Sequence, residues 1–236
     1  MPQFATTRWS MVLAAASREP EHGPRAMEEL CATYWFPLYT YVRRQGWSPQ
    51  DAEDLTQDFF ARIVEKETLA NVGPEKGKFR TFLLVCLKRF LANEHQRRLA
   101  AKRGAGRKPI SFDGAEAEQR YGLATGEEDS PELAFERRWA MAVLERAIGR
   151  LAAEFATRGK EKLFNHIKVY LAADQAAPPY AKMAEQMGVT EAAVKVAVHR
   201  LRGRYRTLVE EEIAATLEDP AQVNEEIEYL MHVLSR

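Results

Sequence analysis

Apolar residues recur three or four positions apart along most of the chain, which is the spacing of one face of an α-helix. β-Branched runs are short, and glycine and proline are sparse outside a few places. The pattern predicts an all-α protein with helices over residues 6–16, 25–44, 51–67, 79–99, 130–155, 160–173, 180–187 and 191–217, then a short amphipathic segment. Pro37 is expected to kink or interrupt the second of these helices.

The stretch from Tyr180 to Arg206 predicts two helices broken at Gly188. Glycine supplies the positive φ that a tight turn needs, and Thr190 can cap the second helix. No acidic residue interrupts the polar face from Lys195 to Arg206. A glycine turn, a capped helix and one basic face are typical of a helix-turn-helix that enters a major groove. An ordinary helical hairpin with solvated charges is the alternative.

A second stretch predicts a capped helix with an acidic stripe. Ser48 and Pro49 start the helix, and Asp51, Asp54 and Asp58 lie on one side of it. The stripe is either a solvated face or a docking surface for a basic partner. A metal site is disfavoured because successive turns hold the carboxylates apart and no histidine lies nearby in sequence.

The predicted helix over 79–99 belongs to a strongly basic part of the chain. Residues 76–108 contain eleven basic residues and a single acid, Glu94. Aromatic and amide side chains alternate with these cations, which suits single-stranded or melting DNA. A basic amphipathic helix that packs on a core without any ligand is the alternative.

Composition excludes several classes of function. The chain has 236 residues and no net charge, with 34 basic and 34 acidic side chains that are segregated along it. Its two cysteines do not have zinc-site spacing, no apolar run is long enough to span a bilayer, and no signal peptide is predicted. No phosphate loop, nucleophile elbow or catalytic constellation is present. We therefore expect a cytoplasmic protein without catalytic residues, metal or cofactor.

Glycine and charge patterning predict two helical domains joined by a flexible linker. The linker starts basic, ends acidic and contains several scattered glycines. The expected divisions are a first domain over residues 1–103, the linker over 104–130, a second domain over 131–217, and a C-terminal amphipathic tail over 218–236.

Two separated motifs resemble those of bacterial RNA polymerase sigma factors of the sigma-70 superfamily, in the extracytoplasmic-function (ECF) or ECF-like group. DAEDLTQDFFARI, residues 51–63, is similar to the polymerase-docking helix of that family. Residues 180–206 are similar to its region 4 helix-turn-helix, and the segment from Gly77 to Arg80 with the following basic helix occupies the place of its DNA-melting regions.

The resemblance implies that region 2 grips the clamp helices of the polymerase β′ subunit and opens the −10 element. It also implies that region 4 contacts the β flap and the −35 element. The polymerase-binding residues would be Asp51, Asp54, Leu55, Gln57, Asp58, Phe60 and Arg62. The residues near the −10 strand would be Phe79, Arg80, Lys88, Arg89, Asn93, Gln96, Arg97 and Arg98. Those at the −35 duplex would be Thr190, Glu191, Lys195, Val196, His199, Arg200, Arg202, Arg204 and Arg206.

The sequence thus predicts a sigma factor that binds core RNA polymerase and promoter DNA to direct transcription initiation. An anti-sigma factor or another regulator is left open as a further partner. The alternative function is a helix-turn-helix transcriptional regulator that acts without core polymerase. The acidic stripe separates the two, because a simple regulator has no need of it.

Overall fold

The computed structural model describes residues 23–65, 78–101, 118, 121, 130–171, 177–217 and 219–235. These residues form eight α-helices and no strand, so the all-α prediction is confirmed. The helices are α1 (Gly23–Arg44), α2 (Pro49–Glu65), α3 (Phe79–Ala101), α4 (Pro131–Thr157), α5 (Glu161–Ile167), α6 (Tyr180–Met187), α7 (Glu191–Ala214) and α8 (Val223–Ser235). Short 3-10 turns cover Lys168–Leu171 and Pro220–Gln222.

Two of the predicted helix starts are formed by the expected caps. At the start of α2, the Ser48 hydroxyl accepts a 3.1 Å hydrogen bond from the Asp51 backbone and donates a 2.8 Å bond to the Asp51 carboxylate. At the start of α7, the Thr190 hydroxyl accepts a 3.2 Å bond from the backbone of Ala193. Each cap satisfies a backbone N–H that the helix itself leaves unpaired.

Gly188 ends α6 in the left-handed conformation, with a φ of 65°. Its N–H donates to the carbonyls of Ala184 and Glu185, and Val189 donates a 3.0 Å bond to Ala184. The predicted break at Gly188 is confirmed, because this backbone geometry is strained for any residue with a Cβ.

The first three helices pack against one another around aromatic side chains. Tyr34 of α1 meets Phe79 of α3 edge to face, with 5.3 Å between ring centroids. Phe59 of α2 lies 5.7 Å from Phe90 of α3. These rings are largely buried, and aromatic burial of this kind gives a small helical domain much of its core energy.

Pro37 is buried inside α1, which continues past it, although proline removes one backbone donor and crowds the preceding turn. The predicted interruption is therefore wrong, whereas the predicted kink stays a prediction. The helix predicted over 160–173 is α-helical only through Ile167 and then tightens into a 3-10 turn. Burial of the α1 side chains on α2 and α3 outweighs the local cost of the proline.

The chain divides into two compact units. Unit 1 comprises Met1–Ala142 with Ile213–Arg236, and unit 2 comprises Val143–Glu212. The C-terminal helix α8 therefore belongs to the same unit as α1, α2 and α3. The predicted N-terminal helix over 6–16 lies outside the described residues, as does the linker apart from Glu118, Tyr121 and Ser130, so the predicted domain boundaries stay predictions.

Within the part of the chain that the structure describes, no helix is both long and apolar enough to cross a bilayer.

Cys31 and Cys86 are free and half-buried, and burial raises the pKa of both thiols. A raised pKa keeps a thiol protonated near neutral pH and lowers its reactivity.

Candidate nucleic-acid and partner-binding surfaces

One part of the acidic stripe of α2 is accessible to solvent, and another part forms an ion pair with α3. Asp58 and Gln57 are exposed and Asp54 is half-buried, whereas Asp51 pairs with Arg98 of α3 at 2.6 Å. The other three residues predicted to bind a polymerase are less available. Leu55 and Phe60 are buried in the core, and Arg62 pairs with Glu94 at 3.0 Å. The accessible part of this surface is therefore its carboxylate and amide edge.

Asp51 and Asp54, the first two carboxylates of the stripe, have pKa values shifted in opposite directions. Burial and the neighbouring charges of Asp58 and Asp51 raise the pKa of Asp54. Burial acts in the same direction on Asp51, but the hydrogen bonds from Arg98 and Ser48 outweigh it and lower its pKa. A cation that approaches Asp54 would relieve the repulsion between these carboxylates.

The basic helix α3 presents most of its predicted DNA-contacting residues to solvent. Lys88, Arg89, Asn93, Gln96 and Arg97 are exposed, and Arg98 is half-buried.

The two predicted residues at the start of α3 lie elsewhere. Phe79 is only 2% exposed, packed on Tyr34, and Arg80 is 4% exposed. By its position in the sequence, Arg80 is predicted on the polar face of this helix together with Lys88 and Arg89, and its burial shows that this placement is wrong. In this conformation neither side chain is accessible to DNA.

Most of the exposed cations on α3 already have an acidic neighbour. Lys88 pairs with Glu132 of α4 at 2.7 Å, which raises the pKa of the lysine and lowers that of the glutamate. Arg97 pairs with Glu94 one turn earlier at 2.9 Å. Arg89 is exposed and has no ion-pair partner among the described residues. Pairs this exposed are weak, so a phosphate can compete with them.

A cavity of about 510 Å³ lies between the end of α1 and the middle of α3. Two predicted DNA-contacting residues, Lys88 and Gln96, line it together with Tyr41, Gln45, Trp47, Leu91, Ala92 and His95. The rings of Trp47 and His95 meet edge to face at 6.3 Å, and the Arg98 guanidinium stands 4.8 Å above the Trp47 ring. Aromatic walls beside amides and cations are the chemistry that holds an unstacked base.

The basic face of α7 is exposed along almost its whole length. Eight of the nine residues predicted at a DNA duplex are exposed: Thr190, Glu191, Lys195, Val196, His199, Arg200, Arg202 and Arg206. The ninth, Arg204, is half-buried. The core-facing side carries Val194, Val198 and Leu201, each 1% exposed. The helix is therefore amphipathic as predicted, with its cations outward.

Contacts within unit 2 fix some of these cations. The Arg202 Nε donates a 3.0 Å bond to the carbonyl of Tyr170. Arg204 grips Glu154 of α4 with both Nε and a terminal nitrogen, the shortest contact being 2.6 Å, and this contact lowers the pKa of Glu154. Lys195 pairs with Glu191, and Arg206 with Glu210, each one turn away.

A smaller cavity of about 260 Å³ opens beside α7 in the same unit. Its apolar lining includes Leu163, Ile167 and Leu201, and Arg158, Lys160, Arg200 and Arg204 stand around it. Arg200 and Arg204 thus border this cavity as well as the basic face of α7.

Comparison with known protein families gives one match. Residues 34–100 match the family model described as Sigma-70 region 2. These residues are thus similar to sigma-70 region 2, and we call them the region 2 domain. This match supports a member of the sigma-70 family, the family on which the sequence resemblance rested. A search of curated proteins and a search of solved structures each returned no match.

The matched residues of the region 2 domain run from the middle of α1 through α2 to the end of α3. Both the acidic stripe and the 510 Å³ cavity lie within this domain. The α6–α7 helix pair lies outside the match, so its role is argued from its own geometry below.

The structure adds four residues to the candidate site of the region 2 domain that sequence analysis missed. Tyr41 lines the cavity although its side chain is only 2% exposed, as tyrosine at helical spacing usually packs inward. Trp47 and His95 come together only when the loop after α1 folds back on α3. Glu226 lies in the tail, far away in sequence, and its contact with this domain has no local signal.

Proposed function

We propose that this chain is an RNA polymerase sigma factor of the ECF or ECF-like group. It binds core polymerase through α2, opens a −10 element with α3 and binds a −35 element with α7. The observation that carries the proposal is the sigma-70 region 2 match over residues 34–100. No catalytic role is proposed for the chain, because the polymerase supplies the chemistry. Its site of action would be the cytoplasm.

Docking on the polymerase is assigned to the exposed edge of α2. Asp54, Gln57 and Asp58 are the accessible members of the predicted set. Burial raises the pKa of Asp54, and repulsion from Asp58 and Asp51 adds to this shift while Arg98 offsets part of it. A basic helix pair such as the β′ clamp helices would neutralise that repulsion. The contacts are charge-assisted and set orientation more than affinity.

Promoter opening is assigned to the cavity and the exposed face of α3. The volume of the cavity lies within the range of about 300–1,000 Å³ that small-molecule sites occupy, so a single unstacked base fits. The Trp47 ring offers a stacking surface, and Gln96 offers an amide for a base edge. Arg89 is the cation best placed to contact the adjoining phosphate, since it has no acidic partner among the described residues.

Upstream recognition is assigned to α7. Lys195, His199 and Arg202 are three or four residues apart and exposed, so they follow one groove. Arg206 lies nearer the helix end, where phosphate contact is expected. The 260 Å³ cavity bordered by Arg200 and Arg204 is a candidate for the β flap, which would insert an apolar side chain between these cations.

The second candidate function is a regulator that binds DNA through α6 and α7 without polymerase. The geometry of Gly188 and the exposed cations of α7 favour it as much as they favour a sigma factor. It gives no role to the region 2 domain, which is why we place it second.

The test combines the purified chain with core polymerase on a library of randomised promoter sequences. A sigma factor produces transcripts only when both proteins are present, and the productive templates share two elements at fixed spacing. Enrichment of one DNA sequence by the chain alone, with no transcripts in the presence of core polymerase, would instead establish the regulator.

A further inference from the structure

The C-terminal helix α8 places a buried carboxylate on two cations at the start of the basic helix α3, one just before the helix and one in its first turn. Glu226 is 1% exposed, and its two oxygens pair with Lys78 and with Arg80. The Arg80 Nε also donates a 2.8 Å bond to Glu136 of α4. All four residues lie in unit 1. The cluster therefore contains two cations and two carboxylates, with no net charge.

Aromatic rings enclose this cluster. The Arg80 guanidinium stands 4.2 Å from the Trp139 ring centroid and 5.1 Å from that of Tyr229, and the Lys78 ammonium lies 5.5 Å from Tyr229. Trp139 belongs to α4, and Tyr229 lies on α8 one turn after Glu226. Helix α8 thus contributes one carboxylate and one ring around these cations, and α4 contributes Glu136 and Trp139.

Apolar packing also contributes to the position of α8, beside this carboxylate. Leu230 and Val233 are 1% and 3% exposed, and Arg137 donates a 3.3 Å bond to the Val233 carbonyl. A buried ion pair contributes little net stability compared with apolar side chains of the same volume, because desolvation offsets the attraction. The charge of Glu226 is therefore better explained by what it covers than by the stability it adds.

Burial of this cluster has a free-energy cost that its contacts do not fully offset. The Trp139 indole N–H is buried and has no hydrogen-bond acceptor among the described residues. Burial lowers the pKa of Arg80, but Glu136 and Glu226 outweigh it and raise the pKa, whereas burial raises the pKa of Glu136 despite Arg80. A buried donor without an acceptor and a desolvated carboxylate both favour any state in which water reaches this cluster.

Arg80 is also the first cation of α3, the helix proposed to open the −10 element, and Lys78 directly precedes that helix. A carboxylate that pairs with both of them takes the place of a phosphate, since both ligands offer oxygens to the same donors. We propose that α8 is an intramolecular inhibitor of the region 2 domain, in which Glu226 occupies Lys78 and Arg80 until α8 moves away and a DNA phosphate replaces it. This inference rests on the proposed function of α3 as a DNA-binding helix.

Release of α8 frees the two cations unequally. Arg80 keeps its ion pair with Glu136, whereas Lys78 forms no second ion pair among the described residues and keeps only a longer-range attraction to Glu136. The Lys78 side chain is already 39% exposed. The main gain in phosphate binding is therefore expected at Lys78.

The test uses full-length Glu226→Gln, which keeps the side-chain shape and removes the charge. Glu228→Gln is the matched control, because Glu228 lies on the same helix and is exposed. Two readouts are compared: amide hydrogen exchange across α8 in the free protein, and affinity for a short, labelled single-stranded oligodeoxynucleotide of mixed sequence. Circular dichroism establishes that each variant is folded.

For Glu226→Gln we expect faster exchange in α8 and about tenfold tighter oligonucleotide binding. A tenfold gain corresponds to a binding-competent state that rises from roughly a tenth of the molecules to nearly all of them. The salt slope should steepen by about one unit for each freed cation. Glu228→Gln should change neither readout, and adding Lys78→Gln to Glu226→Gln should remove most of the gain.

Three outcomes would overturn the proposal that α8 is an inhibitor. They are unchanged affinity in a folded Glu226→Gln, no measurable binding by it, or an equal gain in Glu228→Gln. If Glu226→Gln does not fold, Leu230→Ala loosens α8 without changing its charge, and an unchanged affinity in that variant overturns the proposal too. The result is separable from the proposed function: a chain that fails to bind core polymerase refutes the sigma factor, whereas a chain that initiates transcription but shows no gain refutes only the inhibitor.

Discussion

Arg202 on α7 is anchored to Tyr170, whose carbonyl oxygen accepts a 3.0 Å hydrogen bond from the arginine Nε. Tyr170 is itself held by a 2.7 Å bond from its hydroxyl to the Pro178 carbonyl and by stacking on Tyr180 at 4.9 Å. This bond to Nε restricts the orientation of the whole guanidinium, because the group is planar. A fork held in one orientation loses less entropy when it binds a base edge.

The anchored Arg202 predicts a change in specificity. Arg202→Ala should alter the preferred upstream element and cost about 1–3 kcal/mol at one position. Arg206→Ala should weaken all sequences alike and lower the salt slope by about one unit, because Arg206 is 80% exposed near the helix end. The measurement is selection of bound sequences at two salt concentrations.

Arg202→Lys is the control for charge. Lysine keeps the positive charge and lacks the anchored fork, so it should lose specificity as alanine does while retaining more affinity. If both alanine variants keep the wild-type preference and lose affinity equally, α7 does not contact bases.

The acidic edge of α2 predicts a charge-dependent contact with polymerase. Reversal of Asp54 and Asp58 to lysine should abolish binding to core enzyme while the helical circular dichroism is retained, since neither side chain is buried in the core. Glu28→Lys with Glu185→Lys makes the same change in net charge at exposed sites elsewhere and should leave binding intact. Co-migration of the Asp54 and Asp58 variant with core polymerase would contradict the assignment.

The cavity of the region 2 domain predicts a stacking contribution to single-strand binding. Trp47→Ala should weaken binding of a single-stranded oligonucleotide by about 1–3 kcal/mol, the usual contribution of one stacked base. Trp35→Ala is the control, since Trp35 is also half-buried but stacks on Tyr39 at 5.2 Å and does not line the cavity. Fluorescence anisotropy measures the affinity of both variants. Equal losses of affinity would show that they come from reduced stability of the fold and not from a lost stacking contact.

Two glycines of unit 2 predict opposite changes in stability. Gly188→Ala should lower the free energy of unfolding by about 1 kcal/mol or more, because its φ of 65° is unfavourable for a residue with a Cβ. Gly149→Ala should raise it by about 0.5–1 kcal/mol, since Gly149 lies inside α4 with nothing within 4 Å of an added Cβ. Denaturant unfolding followed by circular dichroism measures both. A destabilising Gly149→Ala would contradict the packing of α4.

The pair between Glu154 and Arg204 predicts a contribution that is lost in acid. The hydrogen bond from Arg204 holds the pKa of Glu154 below its ordinary value of 4.5. A carboxyl whose folded pKa is depressed adds stability that is complete above the unfolded pKa and is lost as the pH falls through the folded one. The contribution is at most about 1 kcal/mol, because both side chains are partly exposed.

The measurement compares the unfolding free energy of the wild type with that of Glu154→Gln as the pH is lowered. Their difference should be constant above pH 4.5 and should shrink below it. Glu185→Gln, which removes an exposed carboxylate from the same unit, should show a small difference with little pH dependence. A difference that grows in acid would have the wrong sign for this pair.

Local features of the chain could be predicted from its sequence because their causes lie within a few residues. The Ser48 and Thr190 caps, the break at Gly188 and the buried face of α7 each depend on spacing within one or two helical turns. Helix existence follows from the same periodicity. Pro37 is the local exception, since packing of α1 on its neighbours outweighs the preference of one residue.

The state of the charged side chains was decided only by the tertiary structure. Helical periodicity placed Arg80 on a polar face, but two carboxylates from α4 and α8 bury it, and one of them lies 146 residues away in sequence. In the same way, Asp51 belongs to an acidic stripe in the sequence and to an ion pair with Arg98 in the fold. The sequence by itself determined which residues are charged and which helix carries them. Which of those charges meet, and so which remain available to a partner, depends on packing between distant helices that no local pattern encodes.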